Sequence, residues 1–211
     1  MKILVLGASQ GTGALTVRSA LARGHHVTAF ARSPQKLVLE HERLTRRVGD
    51  FHDPASVDAA VAGHDAVIVT ASAPSLKAFK QRPDYFSSGT ANAIAAMKAH
   101  GVRRLVVLSA LGTGDSLPLV NVLVRKLLVG VILRIPFEDH VRQEQLTRDS
   151  GLDWVIARPS ALTNGPARGR YVKTSAIEPV PAFMSRADVA EFLVEAADSA
   201  AWVGKAVNLG G

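Results

Sequence analysis

The sequence has no cysteine, so no disulfide framework, thiolate nucleophile or cysteine-ligated metal can be built from it. Aromatic residues are scarce, and only two are tyrosines, Tyr85 and Tyr171. Four places beyond them stand Gly89 and Ser175, so neither tyrosine has the lysine one helical turn on that would tune it as a general acid. Alcohol oxidation or ketone reduction by that route is therefore not expected. The seven histidines, His25, His26, His41, His52, His64, His100 and His140, never fall at His-x3-His or His-Glu-x2-His spacing, and no zinc site is expected. A Gly-x-Ser-x-Gly nucleophile elbow is also missing, which leaves hydrolase chemistry without an anchor. The most apolar stretch, residues 117–133, is short for a membrane span and carries Arg125 and Lys126 near its middle, so no span is expected. The chain opens directly on an apolar strand with no signal or transit peptide ahead of it, and a cytoplasmic protein is expected.

What is present is an ordinary globular composition, 47% hydrophobic and 20% charged, over a length that can bury a substantial core. The formal charge is +7, from 25 Lys and Arg against 18 Asp and Glu. Such a field attracts phosphate-bearing cofactors, acidic substrates or nucleic acid, or simply keeps the surface soluble. The basic residues are scattered and no Lys/Arg run is interleaved with aromatics, so nucleic acid is not expected as a partner. No internal repeat, low-complexity segment or domain linker interrupts the chain, and residues 1–211 read as one domain.

The chemistry begins at residues 2–13, KILVLGASQGTG. Lys2 to Leu6 form a buried strand that runs into Gly7, Gly11 and Gly13 and then into an apolar-periodic helix ended by Gly24. Strand, glycine turn and helix start together make the shape a dinucleotide pyrophosphate needs. Gly7 takes the turn off the strand, Gly11 lets backbone N–H groups approach phosphates, and Gly13 lets the helix pack close to the sheet. The second strand, HHVTAFAR, ends in Arg32 and Ser33 with Lys36 shortly after, where NAD-preferring sites place an acid about 20 residues past the glycines. The nearest acid here is Glu40, so NADP(H) is expected over NAD(H), with Arg32 on the 2′-phosphate; the plain alternative is a solvated strand-end arginine.

Strand and helix then alternate. RLTRRV (43–48) enters Gly49, Asp50 and Phe51; a helix covers Pro54 to Val61; DAVIVTAS (65–72) is a buried strand; Tyr85 to His100 is a long helix. RRLVVLSA reaches Ser109, PFEDHVRQEQLTRDSG is a helix, DWVIARPS leads through Arg158 and Pro159, MSRADVAEFLVEAADS opens on a Ser185/Asp188 capping box, and KAVNLGG closes the chain. This rhythm predicts an α/β fold with a doubly wound parallel sheet and ligands at the strands' carboxyl ends. Asp50 and Phe51 are then expected by the adenine, although Phe51 reads equally as packing, and Thr70 and Ala71 by the pyrophosphate or nicotinamide ribose. Ser109 is placed to hydrogen-bond a carbonyl or ring nitrogen beside the nicotinamide, or else caps its own turn. His140, next to Asp139, is a candidate proton donor or a solvent-facing helix residue. Residues 117–133 are expected as a helix that covers the substrate pocket, forms a subunit contact or lies in the core. Residues 161–181, rich in Gly, Pro and Arg, are expected as a loop with a short strand over the pocket; elements within about 110–135 and 159–184 would shape it.

Taken together, GASQGTG at 7–13, Arg32-Ser33, Gly49-Asp50, AGHDAVIV at 62–69, AAMKAHGV at 95–102, Ser109-Ala110, the DHVRQEQL helix, SGLDWVIARP at 150–159 and SRADVAEFL near the end resemble the atypical short-chain dehydrogenases/reductases of the NAD(P)-binding, NmrA-like kind, within them the flavin reductase/biliverdin reductase B branch. The resemblance implies that Ser9, Gln10, Gly11 and Thr12 hold phosphates, Arg32 and Ser33 the 2′-phosphate, Asp50 and Phe51 the adenine, and Ser109 the nicotinamide side, with Arg158 and Pro159 completing the cofactor site. Two positions depart from the pattern: Gln10 stands at the middle glycine of Gly-x-x-Gly-x-x-Gly, and Ser160 stands where the branch has a histidine after the proline. The implied activity is NADPH-dependent reduction of a flavin-like or quinone-like conjugated acceptor, for which solvent can supply the proton. A non-catalytic NADP(H) redox sensor with a protein partner is the alternative, and a nucleotide-sugar epimerase or dehydratase, which the missing Tyr-Lys pair argues against, is a weaker one.

Overall fold

A computed structural model describes residues 1–73, 75–126 and 132–211. The strands β1 (Lys2–Leu6), β2 (His26–Ala31), β3 (Leu44–Val48), β4 (Ala66–Val69), β5 (Arg104–Leu108), β6 (Asp153–Pro159), β8 (Val172–Thr174) and β10 (Lys205–Gly210) form one sheet in the order β3-β2-β1-β4-β5-β6-β10-β8. Every pairing in it is parallel except β10 with β8. The helices α1 (Gly11–Ala22) and α7 (Arg186–Asp198) cover one face, and α2 (Pro54–Val61), α4 (Tyr85–Ala99) and α6 (Arg134–Arg148) cover the other. This is the doubly wound architecture that the alternation predicts.

Burial on both faces explains why the central strands are almost continuously apolar. Along β1, Ile3 and Val5 join a core with Val17, Val189 and Phe192, whereas Leu4 and Leu6 join Val57, Ala93 and Met97. Successive side chains alternate between two separate cores.

Helix α6 departs from the apolar-inward rule. Its buried residues are Asp139, Gln143, Glu144 and Thr147, all polar. Asp139, fully buried, accepts from the Phe86 N–H at 2.6 Å and from the Ser87 N–H and hydroxyl at 3.4 and 2.5 Å, at the start of α4. The Asp84 side chain makes no capping bond, so α4 is capped by a residue from another helix.

The apolar stretch 117–133 is not one helix. Residues Gly114–Leu119 form a 3₁₀ turn that contains Pro118, and α5 is a separate turn, Val122–Val124. Val122, Leu123 and Val124 are exposed, at odds with the core alternative for that part; residues 127–131 lie outside the described residues. Two features had no sequence signal: the short helix α3 (Ala78–Gln81) and the parallel ladder of β7 (Ala161–Thr163) with β9 (Phe183–Ser185). The β7–β9 segment is tethered at Asp188, whose carboxylate accepts from the N–H groups of Arg168 and Gly169 at 3.0 and 2.9 Å. Ser185 caps α7 by accepting from the Asp188 N–H at 3.0 Å.

Candidate cofactor site

The ends of β1, β2 and β4, with the turn after β3, surround a cleft of about 190 Å³. Gly7 leaves β1 at φ +93°, and its N–H and that of Ala8 donate to the Phe30 carbonyl at 3.0 and 3.2 Å. Gly11 opens α1 at φ +55°, and a Cβ built on it would meet nothing within 4 Å. The backbone there is left bare for a ligand to approach. Gly13 has a packing role: a Cβ would come within 2.2 Å of the Gly7 carbonyl oxygen and 2.7 Å of Thr70 Oγ1. Gln10 fits because its φ of −159° is extended backbone and Gly11 carries the left-handed turn. Its side chain makes no cap bond, and the first turn of α1 has no acid, so the positive dipole end of α1, next to the cleft-lining Ser9 and Gln10, has no carboxylate of its own first turn to oppose it.

Arg32, Ser33 and Lys36 line the opposite wall. Arg32 and Lys36 are exposed and enter no ion pair among the described residues. Asp50 also lines the cleft, accepting from the His52 N–H at 2.9 Å. Phe51 has both roles considered for it: it borders the cleft, yet only 7% is exposed, and its ring lies where a Cβ on Gly89 would sit, 2.1 Å from Cε1.

Of the expected cofactor residues, Gly7, Ser9, Gln10, Arg32, Ser33, Asp50, Phe51 and Ala71 line the cleft, and Gly11 follows Gln10 in sequence without lining it. Thr12 and Gly13 turn into the α1 packing, and Thr70 is buried behind the cleft with its hydroxyl donating to the Leu6 carbonyl at 3.0 Å. Tyr85 is the residue that sequence reasoning missed. It stands at the start of α4, lines the cleft, donates to the Ser72 carbonyl at 3.3 Å, and makes an edge contact with His52, ring centroids 4.5 Å apart. Its position after a parallel strand was the only signal available.

A second group lies at the carboxyl ends of β5 and β6. Ser109, 5% exposed, donates to Glu144 Oε1 at 2.7 Å, with Thr113 Oγ1 at 3.5 Å. Arg158 is 1% exposed, and its guanidinium bonds to carboxylates through two of its nitrogens: Nε donates to Glu144 Oε1 at 2.9 Å, Nη2 to Glu144 Oε2 and to Asp115 Oδ1, the latter at 2.6 Å. Partial burial pushes the Asp115 carboxyl up, but the Arg158 hydrogen bond and charge outweigh it and hold the group below the usual carboxylate range. Arg158 therefore points to α6, not into the cofactor cleft, because a buried guanidinium needs these acids. Pro159 pairs with Leu209 of β10 and does not line the cleft. The neighbouring Ser160 hydroxyl is buried without a hydrogen-bond partner among the described residues. His140 is partly buried, stacked on Phe86 at 4.0 Å between ring centroids, with Nδ1 2.9 Å from Gln143 Oε1. Gln143 gives its amide N–H to Thr90 Oγ1, so its oxygen accepts and His140 Nδ1 carries the proton. These contacts hold His140 between α4 and α6, outside the cleft lining.

Comparisons with known proteins bear on the family and the fold. Half of the chain, at 40% identity over 112 residues, is similar to a 2-alkyl-3-oxoalkanoate reductase of Stenotrophomonas maltophilia; the match covers 52% of this chain and 33% of that relative. The fold is shared with a short-chain dehydrogenase/reductase of Veillonella parvula solved in complex with NADP, at a TM-score of 0.82 and 21% identity, covering 100% and 94% of the two chains. The anaerobilin reductase ChuY of Escherichia coli O157:H7 is similar at a TM-score of 0.81 and 26% identity, over 100% and 97% of the chains. The NAD(P)H-binding family model matches residues 7–200, which contain the glycine turn, the basic wall and the Ser109 group, and the chain belongs to that family.

Proposed function

We propose that this protein is an NADPH-dependent reductase of a conjugated acceptor of the flavin or quinone class. The observation that carries the reading is the pairing of a bare α1 N-terminus with Arg32 and Lys36 across one cleft, both cations without a described acid partner. The α1 end and Gly11 suit a pyrophosphate, and the two cations suit a 2′-phosphate. When bound, the nicotinamide would supply a hydride.

The chain's own residues favour an acceptor that needs little acid catalysis. Tyr85 is tied to the Ser72 carbonyl on the wall shared with Asp50 and Phe51. Tyr171 has the ammonium of Lys173 5.9 Å from its ring, and burial, reinforced by Glu195, pushes its phenol up to about 12. Neither is set to deliver a proton at neutral pH. An extended conjugated acceptor spreads the incoming charge, so orientation does most of the work and water can supply the proton. Similarity to ChuY over the whole chain supports a reductase of such a substrate.

The test is NADPH oxidation followed by its absorbance, with FMN or a soluble quinone as acceptor. Steady consumption supports the reading. Tight NADPH binding without turnover on either acceptor would overturn it in favour of a redox sensor with a protein partner.

A further inference from the structure

We propose that Glu144 is a positioning residue that makes the Ser109 hydroxyl an obligatory hydrogen-bond acceptor, so the group recognised at the end of β5 is an amide or imide N–H. This rests on the reading that cofactor and acceptor meet at the carboxyl ends of the strands and extend from the described cleft, whose lining does not include Ser109, to the end of β5. Ser109 has one proton to give, and its oxygen lies 2.7 Å from Glu144 Oε1. Glu144 has no proton of its own to offer in return: both its oxygens are engaged by the Arg158 guanidinium, which stays protonated, and Arg148 Nη2 lies 3.7 Å from Oε2. The hydroxyl proton is therefore committed to the carboxylate. What Ser109 can still offer is its lone pairs, one of them on the side of Thr113 Oγ1 at 3.5 Å, and its backbone N–H is already spent on the Ala157 carbonyl at 2.8 Å. A carbonyl or ring nitrogen facing Ser109 meets a like dipole, whereas an N–H is bound. This reverses the polarity that the sequence suggests for Ser109.

The arrangement is held from outside as well. Arg158 also binds Asp115, so the 3₁₀ turn Gly114–Leu119 locks the guanidinium that locks Glu144. Burial of the set, Ser109 at 5%, Glu144 at 3% and Arg158 at 1% exposed, keeps water from offering Ser109 an alternative acceptor.

An N–H of this kind is present on the carboxamide of a nicotinamide and on the imide of an isoalloxazine. Two binding titrations separate these sources. In one, NADP⁺ is compared with its 3-acetylpyridine analogue, whose methyl ketone lacks the N–H; in the other, FMN is compared with N3-methyl FMN. Wild type is expected to bind the N–H-bearing member of one pair about tenfold more tightly, the scale of one hydrogen bond. In Ser109→Ala the preference falls to within about twofold, while Ser109→Thr, which keeps the hydroxyl, retains it. Glu144→Met with Arg158→Met removes the acceptor and both buried charges together, frees the Ser109 proton, and is expected to abolish the preference in the same way. Equal binding within both pairs by wild type, or a preference that survives in Ser109→Ala, overturns the proposal. Both arms read binding, so absence of turnover, which would end the reductase reading, leaves this one decided.

Discussion

At the scale of single residues, Arg32 and Gly13 give the sharpest tests. Arg32→Ala should weaken NADPH binding by about 1.5 to 3 kcal/mol, the range of a hydrogen bond to a charged group, and leave NADH binding nearly unchanged. Fluorescence titration of both cofactors checks this, and equal losses would remove Arg32 from the 2′-phosphate. Gly13→Ala forces a methyl to within 2.2 Å of the Gly7 carbonyl, a backbone atom that cannot swing aside. The expected cost is about 1 to 3 kcal/mol in urea denaturation, together with lost cofactor affinity because the same contact shapes the turn. Gly11 and Gly13 were legible in the sequence because the constraint selects a residue type: only glycine tolerates the φ of +55° at Gly11 with ease, or a backbone oxygen as close as the one Gly13 meets. Arg158 shows the opposite case. A residue at the end of a parallel strand can face the cofactor or the covering helix, and what decides is Glu144, a residue of α6 with no sequence mark of its burial. Gln10 is instructive in the same way, since the missing glycine matters only if that position needs positive φ, and it does not.

Among the elements, α6 was expected over PFEDHVRQEQLTRDSG and forms over Arg134–Arg148, yet its packing was not legible, because its inward face is polar and reads as surface. Asp139 is the reason it sits where it does. Asp139→Ala should cost about 2 to 3 kcal/mol, because the Phe86 and Ser87 N–H groups lose their acceptor at the buried start of α4, and Asp139→Asn should cost less because one oxygen remains. Thermal or urea denaturation of the two variants reads the difference. The α4–α6 contact also carries a pH dependence. Burial lowers the pKa of His140 below the ordinary 6.5, and the hydrogen bond to Gln143 only partly restores it. The folded state therefore binds this proton less readily than the unfolded chain. That contribution to stability is complete above pH 6.5 and is lost as the pH falls from there towards the folded value. His52 and His64, whose pKa values are likewise lowered chiefly by burial, act in the same window and with the same sign. Stability measured between pH 7 and about 5 should fall, above the range where carboxylates titrate, and His140→Gln should make the slope shallower. A slope unchanged in His140→Gln would place its proton elsewhere.

For the molecule as a whole, the order of elements was legible because the central strands of a doubly wound sheet are buried on both faces and its helices on one, so hydropathy repeats the topology. The β7–β9 ladder and α3 were not, since they depend on contacts remote in sequence, such as Asp188 holding the Arg168 and Gly169 N–H groups. The cofactor cleft has this long-range character too: it draws on the ends of β1, β2 and β4 and the start of α4, which meet only in the folded chain. A ligand that needs all of them binds the native state alone and must stabilise it by mass action. At a concentration of one hundred times its Kd, NADPH should add about 2.7 kcal/mol, which for a domain of this size raises Tm by roughly 5 to 11 °C. At that same concentration Arg32→Ala, with affinity lowered by 1.5 kcal/mol or more, should retain no more than about 1.3 kcal/mol of that gain. Its own melting point without cofactor should match wild type, because the exposed Arg32 guanidinium has no ion pair among the described residues to lose. If NADPH raises the two midpoints equally, the basic wall of the cleft does not contribute to holding the cofactor, and the +7 charge of the chain is a general surface property.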